Sequence, residues 1–158
     1  MDIHNLEPTL REHPFFQGLE NKHLELLVGC ASNVRFDAGE FICRADEPAD
    51  KFFLIRTGKV AVEINVPQRG PMTIQTLDDG DLVGWSWLFP PYTWNFDARA
   101  TTLTRAIALD ARCLRTKCET DYQLGYEMMK RFSAIMVERF QATRLQLMDL
   151  YASPDGKK

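Results

Sequence analysis

No stretch of this 158-residue chain is apolar for long enough to span a membrane, and its acidic N-terminal segment lacks the apolar core of a secretory signal. These absences predict a soluble, cytoplasmic protein with no membrane partner. The net charge of −3 also lacks the basic excess that neutralises nucleic-acid phosphates. Direct binding of DNA or RNA is therefore not expected.

The cysteines show no motif. Cys30, Cys43, Cys113 and Cys118 have no CxxC spacing, and a chain of this length does not need disulfides to fold. We therefore predict reduced, structural thiols. The C-x4-C pair Cys113 and Cys118 leaves a redox pair or two metal ligands as an alternative.

Catalytic and metal-binding patterns are missing as well. The histidines His4, His13 and His23 lie in the N-terminal third without metal-ligand spacing, which favours surface or helix-packing side chains. No Ser-His-Asp, HExxH or phosphate-loop pattern is present. A cupin-like enzyme would need two or three histidines on strands, and none lies between Val34 and Asp110. We therefore predict no enzyme, no catalytic residue and no metal site.

What the chain does contain is enough apolar sequence for one core. Apolar residues make up 45% and aromatic residues 11%, which predicts a single domain over residues 1–158. Leu24, Leu27, Val28 and Ala31 recur with helical spacing, so helices are expected over about residues 7–32.

Short apolar runs between turn residues then predict antiparallel strands over about residues 33–110. The expected strands are 33–36, 41–44, 51–57, 60–66, 72–77 and 96–109, the last one interrupted.

Helical periodicity returns after Asp110, and helices are predicted over about residues 111–152. Asp110 is a suitable N-cap for the first of them. Thr120 and Gln123 resemble a capping box that opens a long helix to about Tyr151. The residues after it, 153–158, read as a frayed tail.

The stretch FDAGEFICRADEPADKFFLIRTGKVAVEI resembles the first half of the cyclic-nucleotide-binding domain of catabolite-activator-type regulators, protein kinase A regulatory subunits and nucleotide-gated channels. A later DDGDLVG turn supports the likeness, although one family glycine appears here as Asp46. The resemblance implies an α+β fold, an antiparallel, jelly-roll-like β-roll with N-terminal helices and a long C-terminal helix, and a regulatory or sensor function. The shared positions are Phe36, Gly39, Glu40, Pro48, Asp50, Phe53, Ile55, Gly58 and Val60.

The resemblance also locates the ligand cradle and predicts that it is altered. In the family a Gly-Glu pair binds the ribose hydroxyl, and an Arg-x-Ala about ten residues later pairs with the phosphate. Anchoring on Gly84 puts Trp85 at the glutamate and Trp94 at the arginine position. No cofactor is certain, and cAMP or cGMP is disfavoured. The altered cradle comprises Gly84, Trp85, Ser86, Trp87, Leu88, Trp94, Asp97 and Arg99.

The alternative is a genuine cyclic-nucleotide receptor in which Arg99, or backbone amides, hold the phosphate. Arg99 could instead pair with Asp97 or with a carboxylate elsewhere. The aromatic block has three interpretations: a plug that fills the cradle, a pocket for another flat ligand with Ser86 or Arg99 as polar handles, or an exposed patch for a protein partner. That block consists of Trp85, Trp87, Phe89, Tyr92, Trp94 and Phe96.

The long helix carries two apolar stripes. One comprises Leu124, Met128, Phe132 and Ile135 and is expected to face the roll. The other has the 4-3 spacing of a parallel helix pair and comprises Met129, Ser133, Met136, Phe140, Thr143, Leu147 and Leu150.

In catabolite-activator-type proteins the equivalent helix forms the homodimer, which predicts a homodimer through Met129, Met136, Phe140, Leu147 and Leu150. Alternatively, both stripes pack within one monomer. The chain reaches Lys158 without the helix-turn-helix of those transcription factors, a second reason to expect no direct DNA binding.

Overall fold

Helices precede and follow the strands along the described residues, in the predicted order. The computed structural model describes residues 6–152, so His4 and the predicted frayed tail, residues 153–158, lie outside the described residues. The helices are α1 (Leu6–Glu12), α2 (Asn21–Val28), α3 (Ala111–Thr120) and α4 (Tyr122–Ala152). The strands are β1 (Ala31–Phe36), β2 (Phe41–Cys43), β3 (Lys51–Thr57), β4 (Val60–Val66), β5 (Gly70–Leu77), β6 (Leu82–Val83), β7 (Asp97–Ala100) and β8 (Thr104–Asp110).

The strands form two antiparallel sheets of four strands each over the described residues, with orders β1-β8-β3-β6 and β2-β7-β4-β5. Apolar side chains of both sheets belong to one buried cluster, which includes Leu54 and Ile107 from the first sheet and Val62 and Ala98 from the second. The predicted α+β fold with an antiparallel β-roll is confirmed.

The end of the first helical region and one short strand differ most from the prediction. Ala31, counted in the helical stripe, begins β1 and pairs with Leu109, so the helical region ends at Val28 rather than near residue 32. The strand β6 was not predicted, because Leu82 and Val83 are too few to show a periodicity. They pair with Leu54 and Phe53 of β3.

The N-terminus of α4 is capped by a different residue from the one predicted. The Asp121 carboxylate accepts a hydrogen bond of 3.1 Å from the backbone N–H of Leu124. The Thr120 hydroxyl instead donates to the carbonyls of Thr116 and Lys117 at the end of α3. The capping-box prediction is therefore wrong by one residue, because the chain turns between the two helices at Asp121.

One face of α4 attaches the helix to the roll, as predicted. Leu124, Met128 and Phe132 are buried, and Ile135 is partly buried against the same core. A further anchor comes from Arg131, whose guanidinium donates to the carbonyls of Phe15 and Gln17, both at 2.9 Å. The first half of α4 is thus fixed to the N-terminal segment as well as to the sheets.

The prediction of four reduced thiols is wrong, because Cys30 and Cys113 form a disulfide. Their sequence separation of 83 hid their proximity, which arises because the Asp110 N–H donates to the Cys30 carbonyl beyond the β1–β8 ladder. The suggested pairing of Cys113 with Cys118 is excluded with it. Cys43 and Cys118 are free, and burial raises their pKa values to about 12 and about 11.

Candidate functional site

The segment that carries the predicted cradle connects β6 to β7. Gly84 follows β6 with a φ of +81°, and a 3-10 turn then covers Ser86–Leu88. A glycine accepts this left-handed conformation without the Cβ strain of other residues. Upstream, Asp46 at the position of a family glycine also has a positive φ, +72°, which aspartate tolerates better than most side chains.

Trp94 fills the space beside Gly84. Its side chain is 4% exposed, and a Cβ added to Gly84 would lie 2.1 Å from Trp94 Cζ3. The backbone of Trp94 is held in place because its N–H donates to the Glu47 carbonyl and its carbonyl accepts from the Asp46 N–H. Trp94 is therefore packed tightly against Gly84.

Trp85 has a different environment, since it lines a cavity of about 570 Å³ between the roll and α4. The cavity wall is mainly apolar and comes from β4, β5, the segment before β7 and the middle of α4. Volumes of this order are typical of small-molecule sites. The apolar lining includes Val62, Ile74, Phe96, Met136 and Phe140.

Arg139 of α4 lies at the same wall. Its guanidinium carbon is 5.1 Å from the centroid of the Trp85 ring, a cation–π distance, and one N–H donates to the Leu82 carbonyl. Burial lowers the pKa of Arg139, while the charges of Asp81 and Glu138 act in the opposite direction. Sequence reasoning missed Arg139, because an arginine on a surface helix carries no motif.

Arg99 and Asp97 lie on the outer face of their sheet. Ala98 and Ala100 of β7 are buried in the roll, so the alternating Asp97 and Arg99 point away from it. Arg99 makes two hydrogen bonds to the Glu63 carboxylate, at 3.0 and 3.1 Å, and this pairing raises the Arg99 pKa. The groove beside Arg99 shares no lining residue with the cavity at Trp85.

Asp97 does not pair with Arg99. Its carboxylate accepts from the Ala45 N–H at 2.7 Å and lies 3.8 Å from Arg44. Of the two pairings considered for Arg99, the one with a carboxylate elsewhere is therefore found.

The remaining cradle residues belong to the core rather than to the cavity. Trp87 is stacked on Phe52 at a centroid distance of 4.9 Å and contacts Phe132. Ser86 is buried and Leu88 is partly buried, but neither lines the cavity beside Trp85. Ser86 and Arg99, the suggested polar handles, therefore do not line this cavity.

The described histidines are buried packing residues. His13 Nε2 is 3.0 Å from the Ile55 carbonyl, its Nδ1 accepts from the Phe15 N–H, and burial lowers its pKa. His23 is 1% exposed, with Asp121 3.8 Å from its Nε2. Within residues 6–152 no three side chains of the metal-binding types form a cluster, and no helix there is long and apolar enough to cross a membrane.

Sequence comparison finds relatives among bacterial regulators. The chain is 23% identical over 145 residues to a "CRP-like cAMP-activated global transcriptional regulator" of Mycobacterium tuberculosis. The match covers 92% of this chain but 63% of the regulator, so the chain spans less than two thirds of that protein.

Solved structures share the fold. A putative cyclic nucleotide-binding protein from Geobacter metallireducens superposes with a TM-score of 0.75 at 24% identity, covering 89% of this chain and 98% of that one. The regulatory subunit of a cAMP-independent protein kinase A from Trypanosoma brucei gives a TM-score of 0.70 at 22% identity, covering 90% and 51%. At these identities the likeness shows the fold alone.

Family membership follows from a match to a family model rather than from single relatives. Residues 33–121, more than half of the chain, match the family model of the cyclic nucleotide-binding domain. This range contains the strands from β2 to β8 and most of β1, together with the cradle segment and α3. The chain therefore belongs to the cyclic nucleotide-binding domain family.

Proposed function

We propose that this chain is a regulatory sensor module, not an enzyme, whose cradle has lost or altered the recognition of cAMP and cGMP. The observation that carries the proposal is the pair of tryptophans at the two ligand-binding positions. Trp85 replaces the carboxylate for the ribose hydroxyl, and Trp94, at the arginine position, is buried against Gly84. Of the described residues that line the cavity, none is a carboxylate.

The loss of these groups has a large expected cost. Charge-assisted hydrogen bonds contribute about 1.5–3 kcal/mol each, so the absence of two weakens a micromolar site to about the millimolar range. Arg99 is engaged by Glu63 on the outer face, which argues against its replacing the missing arginine. The T. brucei regulatory subunit of a cAMP-independent kinase is a precedent for this fold without cAMP control.

Isothermal titration with cAMP and cGMP tests the proposal. We expect no saturable binding at ligand concentrations up to about 0.1 mM, well below the expected dissociation constant. Micromolar binding would contradict it and support a genuine receptor. The variant Arg99→Met then separates the two modes of such a receptor: binding lost in the variant assigns the phosphate to Arg99, and binding retained assigns it to backbone amides.

The double variant Trp85→Glu/Trp94→Arg provides a gain-of-function arm. If the alignment on Gly84 is correct, it restores the two polar groups and cyclic nucleotides bind more tightly than to the wild type. Because Trp94 is buried, circular dichroism must first show that the double variant folds. The single variant Trp85→Glu, at a partly exposed position, is the fallback, and a smaller gain is expected from it.

The proposal includes a homodimer through α4. The side chains of the 4-3 stripe are largely exposed in one copy, with Met129 at 40%, Phe140 at 63% and Leu150 at 63%, although Met136 and Phe140 also line the cavity beside Trp85. Met136 is partly buried, and Leu147 is exposed on the same face. A second copy of this helix would cover these side chains with the knobs-into-holes packing that the 4-3 spacing favours.

Light scattering after size exclusion is expected to give twice the monomer mass at tens of micromolar. The variant Leu147→Glu/Leu150→Glu places charges in the seam and should give monomers. Leu145→Glu is the matched control, since Leu145 is 62% exposed but lies off the seam, and it should leave the dimer intact. A monomeric mass for the wild type would contradict the dimer. If the seam variant and the Leu145→Glu control changed the mass to the same extent, the dimer would not use this seam.

A further inference from the structure

The cavity beside Trp85 combines an apolar wall with one charge. Arg139 is the charged member among the described residues that line it, and Gln75 and Thr143 are the neutral polar ones. Such a wall suits a ligand whose body is apolar and flat, because ring faces such as Trp85 and Phe140 pack well against planar groups. It suits a ribose poorly, since few acceptors are present for sugar hydroxyls.

The acidic neighbours of Arg139 do not line this cavity. Asp81 and Glu138 line a second recess of about 360 Å³, which shares Arg139 and Gln75 with the first cavity. Neither carboxylate is within 4.0 Å of the guanidinium, and no ion pair of Arg139 occurs within residues 6–152. The side of the guanidinium that meets the apolar cavity therefore faces no negative charge from the lining.

Arg139 also retains donor capacity. A guanidinium has five N–H donors, and the hydrogen bond found for Arg139 within the described residues is the one to the Leu82 carbonyl. Burial removes water from this charge and lowers the pKa of Arg139, although the charges of Asp81 and Glu138 act in the opposite direction. An anion in the cavity would gain a charge-assisted hydrogen bond where the protein provides none.

We propose that this cavity binds a small molecule with a single anionic group, paired with Arg139, on a flat apolar body packed against Trp85 and Phe140. This inference rests on the proposed function, in that it assigns a ligand class to the sensor in place of a cyclic nucleotide. The guanidinium favours a ligand with an anionic group, and the aromatic rings favour a ligand with a planar apolar body. Bound there, the ligand contacts both the roll and α4.

A matched pair of fluorescent probes tests the charge. The anionic probe is 1-anilinonaphthalene-8-sulfonate, and N-phenyl-1-naphthylamine has the same rings without the sulfonate. Both are titrated against the wild type and against Arg139→Met. We expect the variant to bind the anionic probe about tenfold more weakly, with at most a twofold change for the neutral probe, about the effect of one charge-assisted hydrogen bond.

Two further variants fix the location and exclude a general charge effect. Val62→Phe fills the cavity from β4 and should weaken both probes, because Val62 lines it. Lys130→Met removes an exposed charge elsewhere on α4, at a residue that does not line the cavity, and should change neither. Arg139 also donates a hydrogen bond to the Leu82 carbonyl, so Arg139→Lys is measured beside Arg139→Met. The lysine keeps the positive charge and should preserve part of the preference for the anionic probe.

The inference is overturned if Arg139→Met weakens both probes equally, or if Val62→Phe leaves the anionic probe bound as before. Competition with cAMP tests the proposed function separately from the anionic ligand. Displacement of the probe by micromolar cAMP would refute the proposed loss of nucleotide recognition, whatever the Arg139 variants show. Failure of the probes with no cAMP binding would refute the anionic ligand alone.

Discussion

Replacing Gly84 with alanine is expected to lower the free energy of unfolding by about 3–5 kcal/mol, from two contributions. The φ of +81° strains any residue with a Cβ by about 1–2 kcal/mol. The added methyl would also lie 2.1 Å from Trp94 Cζ3, so the indole must move. Trp94 cannot move freely, because its N–H and carbonyl are both hydrogen-bonded to the β2–β3 turn.

Gly70→Ala is the control for backbone strain. Gly70 has the same φ of +81°, but no atom lies within 4 Å of the place that an added Cβ would occupy. Chemical denaturation of the two variants therefore separates strain from the clash, and Gly84→Ala should cost about 2 kcal/mol more. Combining it with Trp94→Leu should cost less than the sum of the single changes. Equal losses for the two alanine variants would show that Trp94 does not act as a plug against Gly84.

Phe132→Ala is expected to lower the free energy of unfolding by a comparable amount, about 3–5 kcal/mol. Phe132 is fully buried at the junction of α4, the roll and the N-terminal segment. Its ring centroid lies 5.1 Å from that of Phe15, 5.4 Å from Phe52 and 5.3 Å from Trp87. The truncation leaves a cavity among rings that are themselves held by strands and helices.

Phe140→Ala is the matched control on the same helix, because Phe140 is 63% exposed in the monomer. Its truncation should change stability by about 0.5 kcal/mol or less. Both variants are compared by denaturation in the Leu147→Glu/Leu150→Glu background, in which a second copy is not expected to cover Phe140. A loss at Phe140 as large as that at Phe132 would contradict the packing described for α4.

Periodicity predicted most of the fold because the strands are amphipathic or apolar runs bounded by turn residues. Periodicity failed where a strand was too short to show a pattern, or where one residue fitted the pattern of a helix and the pairing of a strand. The two residues of β6 show no period, and Ala31 fits the spacing of α2 while its backbone pairs with Leu109. The Cys30–Cys113 disulfide depends on the β1–β8 pairing, which residue spacing does not contain.

Only part of the site could be predicted from the sequence, because the rest depends on contacts between distant elements. The family likeness placed Trp85 and Trp94 in the cradle segment, and the structure buries Trp94 beside Gly84 while Trp85 lines a cavity. Arg139 could not be assigned, because its position depends on how α4 crosses the roll. Arg99 was ambiguous, because strand alternation does not state which face meets the interior.

The disulfide also closes a covalent ring. Between Cys30 and Cys113 the chain contains all the strands from β1 to β8, so a peptide-bond cut anywhere within the sheets leaves the two fragments joined. The segment with α1 and α2 and the segment with α4 leave this ring at neighbouring points, with Cα atoms 5.7 Å apart. The disulfide therefore makes a closed loop with two helical arms, and the arm with α4, which forms part of the cavity wall, is tethered beside the arm with α1 and α2.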